Sequence, residues 1–492
     1  MTSIAKAPSA AKLARAPRKA KTKAPVREAS GKEIGGSGAK ERASVRVYRQ
    51  GLGDCILVRV KRENGDDFKL LIDCGVVLGT ENASGKMTAV VEDVVHEADG
   101  KIDVLAITHE HWDHLSAFIQ AADSFKKLSV GAVWVAWTED PNDDLAKQLK
   151  RELGKAEKTL QACASAFRAA GNGANADMLS DIALTPMSAV AAANTSTRAA
   201  FDRAKNMAAP QPPRMWRPTD APFEIPDANA RIYALGPPHD PRLIRKINPS
   251  TSNPETYGLA ADGCAVLPAG VLAALGLSGD EDSGPPFHRR VTIPLRNEKD
   301  LASFGQQDPE GRIERFFTKH FYGGDDDWRR IDGDWLGSAA ELALALQSYT
   351  NNTSLVLALE LGNIGTGDVL LFAADAQVGN WESWQDWQCE KDGRKITGPD
   401  LLKRTIFYKV GHHGSHNATL KQRGVDQMDA LKAAIIPVDE EEALKKHWGR
   451  LPLSDLIAAL EKKKALVLRT DQKPSGPPDN VVIADNYFEV RI

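Results

Sequence analysis

The sequence predicts a mixed α/β fold. Short apolar runs rich in branched residues, bounded by Gly, Pro, Asn or Asp, recur near both ends of the chain and are typical of buried strands. Segments with Ala and Leu at helical spacing lie between them. His and Asp residues are grouped directly after several of these strands. Together the three observations predict strands and helices with a chemical site at the strand ends.

Length and composition restrict the class of protein. The 492 residues allow one large domain with insertions or two to three domains, and a composition of 42% hydrophobic and 26% charged residues is ordinary for a globular chain. No apolar run is long enough to cross a bilayer, so we expect no transmembrane helix and no membrane partner. The five cysteines are scattered and lack C-x-x-C spacing, which favours reduced thiols and a cytoplasmic location.

Residues 1–42 differ from the rest of the chain. They hold eleven basic residues against three acidic ones, a net charge of about +8, with Ala, Pro and Gly between them. Such a segment cannot bury enough apolar surface to order itself, so we expect a disordered basic tail before a folded domain at 43–492. We favour a solvated extension over a tether for nucleic acid or another acidic partner. The remainder carries about −11, because the whole chain carries −3, and this does not suit a broad phosphate-binding face.

Four strands are predicted in the first part of the chain: Ser44 to Tyr48, Asp54 to Val60, Phe68 to Asp73 and Val104 to Ile107. The turns G-L-G-D and N-G-D join the first three. Asp54 is expected to be structural, and Asp73 closes the third strand.

The motif T-H-E-H-W-D-H follows the fourth strand and supplies His109, His111, Asp113 and His114. In His-x-His the two rings can point the same way, whereas the adjacent Asp113 and His114 diverge, so each pair can hold one cation. Imidazole and carboxylate ligands suit zinc, iron or manganese, and a site with an open position makes hydroxide from water near neutral pH. The alternative is an accidental cluster in a polar loop. It is disfavoured because the chain has only 11 histidines in 492 residues.

T-H-E-H-W-D-H resembles the H-x-H-x-D-H signature of the metallo-β-lactamase superfamily. The resemblance implies a four-layer αββα sandwich with metals at one edge. His111 stands where oxygen-reducing diiron members have a carboxylate, so the resemblance is to hydrolytic members. G-L-G-D-C-I-L-V and L-L-I-D-C-G are similar to the opening of the branch that contains the hydrolase domain of DNA-uptake competence proteins. This resemblance implies that Asp73 orients the histidine loop as a hydrogen-bond acceptor, and a strand-end turn role is the alternative.

Two insertions are expected in the middle of the chain. After a helix over 115–127 and a strand over 130–137, Ala, Leu, Lys and Glu at helical spacing predict a helical insertion at 138–210. We expect it to be passive, with a lid or an oligomer contact as alternatives. A strand from Arg231 to Leu235 leads into G-P-P-H-D, where His239 resembles the third metal motif of the superfamily and is either a metal ligand or a loop residue. A loop-rich insertion follows at 240–330 without an assigned function, and His288 and His320 within it are expected at the surface.

The last two motifs follow a predicted helix at 337–347. N-N-T-S-L-V-L and then V-L-L-F-A-A-D-A-Q resemble the competence-type pattern, with Ala374 in place of a glycine, and make Asp375 the candidate bridging ligand. In F-Y-K-V-G-H-H-G-S-H, the resemblance implies that His412 or His413 ligates the second metal, and we prefer His413. The other histidine would protonate a leaving oxygen or hold phosphate. Ser415 and His416 would line the mouth of the site. Strands at 433–438, 465–469 and 487–492 and a helix at 453–462 complete the prediction.

The expected site binds two divalent cations, zinc first and manganese or iron as alternatives. The expected ligands are His109, His111 and His239 for one metal, Asp113, His114 and His413 for the other, and Asp375 between them, with Asp113, His412, Ser415 and His416 as catalytic residues.

A metal-bridging hydroxide can attack phosphorus or carbonyl centres. We therefore expect a metal-dependent hydrolase, first a phosphodiesterase or nuclease acting on a phosphodiester or another ester. The alternatives are a lactam or thioester hydrolase and a metal-bearing protein that binds partners without catalysis. A lactamase is disfavoured because no secretion signal is visible. The basic tail permits nucleic acid as a partner, and the oligomeric state is left open.

Overall fold

A computed structural model describes most of the folded part of the chain. The described residues are 41–169, 173, 176, 177, 179, 196–247, 249, 256, 312–320, 343, 346–446, 448–474 and 476–492. The basic tail, the middle of the helical insertion, most of the loop-rich insertion with His288, and most of the predicted helix at 337–347 lie outside these residues.

Seventeen strands are formed by the described residues. They are β1 (Ala43–Tyr48), β2 (Cys55–Lys61), β3 (Asp67–Cys74), β4 (Lys101–Ala106), β5 (Ser129–Ala136), β6 (Arg214–Trp216), β7 (Phe223–Glu224), β8 (Ala230–Gly236), β9 (Val356–Leu361), β10 (Asp368–Phe372), β11 (Gln388–Lys391), β12 (Arg394–Thr397), β13 (Thr405–Lys409), β14 (Ala433–Ile436), β15 (Leu466–Arg469), β16 (Val481–Ile483) and β17 (Tyr487–Arg491).

Eleven α-helices are found in the same part of the chain. They are α1 (Ala83–Glu97), α2 (Trp112–Leu115), α3 (Ala117–Gln120), α4 (Ala122–Phe125), α5 (Asp144–Ala169), α6 (Thr197–Lys205), α7 (Arg312–His320), α8 (Val378–Asp386), α9 (Gly398–Lys403), α10 (Glu440–Lys445) and α11 (Ser454–Lys462). No helix among the described residues combines the length and the apolar character that a membrane span requires.

Two mixed sheets contain fifteen of these strands. Within the described residues, the first sheet has the order β16-β17-β1-β2-β3-β4-β5-β6, and the second has the order β15-β14-β13-β10-β9-β8-β7. β3 to β6 run parallel in the first sheet, and β10, β13, β14 and β15 run parallel in the second. Because parallel strands end at the same edge of a sheet, the loops that leave β3, β4, β10 and β13 start from shared edges.

The molecule is an α/β/β/α sandwich of four layers. Apolar side chains fill the three core layers between them. The central layer combines inward residues of both sheets, such as Val45 and Phe372. A second layer packs the first sheet against α1, α2, α3, α4 and α6, and a third packs the second sheet against α8, α9, α10 and α11. This confirms the predicted four-layer fold. Each fully buried Val, Leu or Phe in these layers contributes about 1.5–3 kcal/mol of transfer free energy.

Strand β1 illustrates how alternation directs side chains to opposite layers. Val45 and Val47 enter the central layer, whereas Arg46 and Tyr48 face helix α1. There the Arg46 guanidinium and the Tyr48 hydroxyl both donate to Asp93 of α1, at 2.8 and 2.7 Å. The period-2 pattern of the sequence therefore fixes both faces of this strand.

The structure differs from the predicted helices in several places, and α7, which lies in the segment expected to be loop-rich, α8, α9 and α10 were not predicted. The single helix expected over 115–127 is broken into α2, α3 and α4. At the first junction the Ser116 hydroxyl accepts from the Val76 N–H at 2.8 Å and donates to the Val76 carbonyl at 3.1 Å. At the second junction Ala121 leaves the helical region, with φ −121° and ψ 29°. Helix α1 was not predicted, although its buried residues Met87, Val90, Val91 and Val94 have helical spacing. Its many β-branched residues conceal this pattern.

Candidate metal centre

The histidine loop leaves β4 and turns directly into the short helix α2. His111 is the N-cap residue of α2, so Asp113 and His114 lie in its first turn. The loop is seated closely on the preceding strands: the Asp54 N–H donates to the Asp113 carbonyl at 3.1 Å. At Gly75, an added Cβ would lie 2.6 Å from the same carbonyl oxygen, which explains the glycine of L-L-I-D-C-G.

Four side chains from three chain segments converge in one buried cluster. Ligand atoms of Asp113, His114, Asp375 and His413 all lie within 4.8 Å of one another. The Asp375 Oδ2 atom is 3.3 Å from His114 Nε2 and 3.8 Å from His413 Nε2, and Asp113 Oδ2 is 3.1 Å from His413 Nε2. This cluster, with Asp375 at its centre, is called the metal cluster below.

His109 and His111 adjoin the metal cluster and are buried beside it. The Nε2 atom of His109 lies 3.0 Å from His111 Nδ1 and 4.0 Å from Asp375 Oδ2. The ring of His109 is centred 4.3 Å from that of His114. The structure therefore brings together six of the residues expected as ligands. Asp375 lies near His109, expected at one metal, and near His114 and His413, expected at the other.

Hydrogen bonds to the ring nitrogens that face away from the metal cluster orient the ligand histidines. Asp73 Oδ2 is 2.8 Å from His114 Nδ1, and the two oxygens of Asp73 also accept from the N–H and hydroxyl of Thr108 at 2.8 and 2.6 Å. These are the contacts that the resemblance implied for Asp73, and its role towards a metal stays a prediction. On the opposite side, His413 Nδ1 donates to the Pro437 carbonyl at 2.7 Å, which leaves Nε2 to face the cluster.

A lysine is buried beneath Asp375. Lys409 follows Phe407 and Tyr408 in β13, and its Nζ atom contacts Asp54 Oδ2, donates to the Ala374 carbonyl at 3.0 Å and lies 3.5 Å from Asp375 Oδ1. The lysine thus faces one oxygen of Asp375 while the imidazoles face the other. Asp54, which was expected to be structural, thus contacts this ammonium group, and its Oδ2 also lies 3.8 Å from His114 Nδ1.

Positive backbone φ angles occur at both strand ends that carry ligands of the second sheet. Ala374 has φ +49°, and His412 and His413 have φ +44° and +53°. Glycine adopts this region without strain, which accounts for the glycine of the pattern that Ala374 replaces. The left-handed conformation costs each of these residues of order 1–3 kcal/mol, and the surrounding hydrogen bonds must hold them there.

His412 points away from the metal cluster, as the preference for His413 implied. Its Nε2 accepts from the Asn351 amide at 3.1 Å, and its Nδ1 lies 2.7 Å from Ser415 Oγ. The Ser415 hydroxyl donates to Asn417 Oδ1 at 3.0 Å. His416 is half-buried next to this network, and burial lowers the pKa of its imidazole.

Burial and charge separate the protonation states of the cluster. Burial lowers the pKa of His111 to about 4, so this imidazole is neutral at pH 7. For Asp113, burial raises the pKa but the His114 and His413 cations outweigh it, and the value falls to about 2. For His114, burial lowers the pKa, yet the carboxylates of Asp375, Asp113, Asp54 and Asp73 raise it well above its ordinary value.

This donor set fits divalent metal ions. Imidazoles and carboxylates are the ligands that zinc, manganese and iron bind in proteins. The Oδ1 atom of Asp113 is buried and has no hydrogen-bond partner among the described residues. A buried carboxylate oxygen without a donor is costly, and a cation would satisfy it.

The structure places His239 apart from the metal cluster. Its side chain is 44% exposed, its Nε2 is 2.8 Å from Asp143 Oδ2, and its ring packs on Trp137 with centroids 4.3 Å apart. Of the two roles left open, the structure gives it the loop role, because Asp143 and Trp137 hold the ring after the G-P-P turn. His320 is half-buried in α7 rather than fully exposed.

Residues 48–152 match the family model of the metallo-beta-lactamase superfamily. The match covers the strands and turns from β1 to β5, the histidine loop and the start of α5. It ends before Asp375 and His413, which the fold brings to the same site. No curated protein matched the chain, and no solved structure matched it. The superfamily resemblance is therefore confirmed for this segment, whereas likeness to the competence branch stays a prediction.

Sequence reasoning missed Lys409, Thr108 and Asn351 as parts of the site. The signal for Lys409 was a single charge inside the apolar run of β13, because a lysine there must have a buried partner or an exposed edge. Thr108 and Asn351 are the first residues of the motifs T-H-E-H-W-D-H and N-N-T-S-L-V-L, and only the folded geometry reveals which groups they bind.

Proposed function

We propose that this protein is a metal-dependent hydrolase that uses two divalent cations and acts on phosphodiesters. The observation that carries the proposal is that five imidazole and carboxylate side chains from distant strand ends gather around Asp375. The superfamily match at 48–152 supports it, because His109, His111, Asp113 and His114 fall within the matched segment.

His109 and His111 would hold one cation and Asp113, His114 and His413 the other, with Asp375 between them. When bound, such a pair activates water and neutralises the charge that develops on a phosphoryl or carbonyl oxygen. Asp73 holds His114 and the Pro437 carbonyl holds His413, so the ligand rings keep their orientation without substrate. Zinc is our first choice of metal because of the three to four imidazoles in the set.

His412 is positioned to act on the substrate. With the Asn351 amide donating to Nε2, Nδ1 donates to Ser415 and Ser415 donates to Asn417. In this tautomer Nε2 accepts hydrogen bonds, so His412 would orient a protonated group of the substrate that displaces Asn351. The sequence left two roles open for this histidine, protonation of a leaving oxygen or binding of phosphate, and this tautomer favours a binding role for His412 over the role of acid.

Metal analysis combined with hydrolysis of bis(4-nitrophenyl) phosphate tests the proposal. The wild-type protein should hold two metal ions per chain and release 4-nitrophenol. Asp113→Ala should lower the metal content, and it should lower the rate of hydrolysis by at least about a hundredfold. Asp123→Asn, which removes an exposed carboxylate of α4 paired with Lys126, is the matched control and should behave as wild type.

The alternatives give different outcomes. Turnover of a lactam or thioester panel without turnover of phosphodiesters would assign the acyl hydrolase. Two bound metals with no turnover on either panel would refute the enzyme and assign a metal-bearing binding protein. A cytoplasmic location also belongs to the proposal, whereas the basic tail is proposed as a solvated extension, with recruitment of nucleic acid as the alternative. Equal DNA affinity with and without residues 1–42 would exclude recruitment.

A further inference from the structure

A cavity opens beside the metal cluster on the side of the helical insertion. Its volume is about 620 Å³, and its walls include Thr108, His109 and Glu110 of the histidine loop. This volume is in the range of small-molecule sites in proteins. Because His109 is an expected metal ligand, a molecule in the cavity is adjacent to the proposed reaction centre.

Helix α5 of the insertion forms one wall through a single face. Leu149, Leu153, Glu157, Gln161 and Ser165 all line the cavity and recur every four residues, which places them on one side of the helix. The face is apolar at its first two positions and polar at the last three. It therefore suits an occupant with an alkyl section and a polar end.

Helix α6 forms the facing wall and is tied to the metal loop. Arg198 donates to Glu110 Oε2 at 2.8 Å, and this ion pair joins the insertion to the histidine loop. The neighbouring Thr197 is 4% exposed and lines the cavity, yet its hydroxyl has no hydrogen-bond partner among the described residues. An occupant with a hydrogen-bond donor or acceptor would satisfy this hydroxyl.

The charges of the wall favour a cation over an anion. Both cationic side chains of the lining are already paired, Lys150 with Glu139 at 3.0 Å and Arg198 with Glu110. Glu157 also lines the cavity, and within the described part of the chain it has neither a hydrogen bond nor an ion pair. The lining thus carries three carboxylates, those of Glu110, Glu139 and Glu157, against two cations. Arg198 attracts Glu157 without pairing with it, and the exposed Glu157 carboxylate is the one that an ammonium group can pair with.

We propose that this cavity binds the non-reacting arm of the substrate, and that the arm is an alkyl chain ending in an ammonium group held by Glu157 and Thr197. The inference rests on the proposed function, because it takes the ester group to lie at the metal cluster. It names the substrate class as a small aminoalkyl ester rather than a nucleic-acid polymer.

Isothermal titration calorimetry of the zinc-loaded protein with 4-aminobutyl phosphate and with pentyl phosphate tests whether the cavity binds an arm that ends in an ammonium group. The two esters have the same chain length and differ by the terminal ammonium group. The wild-type protein should bind the aminobutyl ester about tenfold more tightly. Glu157→Gln should reduce this ratio to about one, and Thr197→Val should reduce it to about threefold.

Asp144→Asn is the matched control, since it removes an exposed carboxylate from the same helix outside the cavity and should keep the full ratio. Equal affinities for the two esters in wild type, no binding of either, or a ratio that survives Glu157→Gln would each overturn the inference. Hydrolysis is a separate readout. A preserved affinity ratio without turnover of any ester would refute the proposed function and keep the cavity assignment.

Discussion

Lys409 Nζ lies 3.5 Å from Asp375 Oδ1 and also contacts Asp54, with all three side chains almost fully buried. The ammonium therefore balances two carboxylates in a place that water does not reach. It is a positioning residue for Asp375, because it faces the oxygen opposite the imidazoles.

Lys409→Met should lower the free energy of unfolding by about 3–5 kcal/mol, because two buried carboxylates lose their counter-charge. Denaturant unfolding of the metal-free protein measures this. Lys403→Met, at an exposed position of α9, is the control and should change stability by less than about 0.5 kcal/mol. A similarly small loss for Lys409→Met would show that the carboxylates do not depend on it.

Asp73→Asn should weaken zinc binding by about 10- to 100-fold, because an amide cannot accept from His114 Nδ1 and from Thr108 as the carboxylate does. Competition with a chelator measures the affinity. Asp67→Asn, at the half-buried start of the same strand β3, where the carboxylate pairs with Lys61 away from the metal cluster, should leave it unchanged. Equal zinc affinity in both variants would remove Asp73 from the metal centre.

His239→Gln should keep the full metal content, whereas His109→Gln should lose at least one metal ion per chain. The reason is that His239 bonds to Asp143 and packs on Trp137 instead of facing the metal cluster. Metal analysis after gel filtration separates the two variants. Loss of metal from His239→Gln would restore the ligand role that the sequence left open.

Asp143 predicts a pH dependence of stability. Its Oδ1 accepts from the Ala146 N–H at the start of α5, and its Oδ2 bonds to His239 and Arg217. Burial raises the pKa of this carboxyl, but these three partners outweigh it and lower the pKa below its ordinary value. A lowered carboxyl pKa contributes stability above the unfolded-state pKa, near 4, that is lost as the pH falls through the folded-state pKa.

Asp143→Asn should therefore lower the free energy of unfolding at pH 7 by about 1–2 kcal/mol, and the difference from wild type should shrink as the pH falls from 5 towards 3. Denaturant unfolding across this range measures it. Asp144→Asn, at the exposed neighbouring position, should show no such convergence. A difference that stays constant with pH would contradict the argument from ionisation.

The motifs that follow strands were accessible from the sequence, because each places several rare side chains together. T-H-E-H-W-D-H, the strand-end Asp375 and the His-His pair at 412–413 all lie at the edge where parallel strands end. Long-range partners were not accessible. Glu110 and Arg198 are 88 residues apart, and no local pattern indicates that they meet. The loop role of His239 depends on Asp143, which belongs to an insertion whose packing has no sequence signal.

His413 lies 300 residues after Asp113, and the two are joined at one cluster. A ribosome that has released only the first three quarters of the chain has therefore exposed the first donors without the last one. The nascent segment offers an isolated His and Asp group with weak affinity, and tight capture of metal has to wait for β13 and its turn. Tight binding of the proposed metals therefore follows completion of the fold and does not direct it.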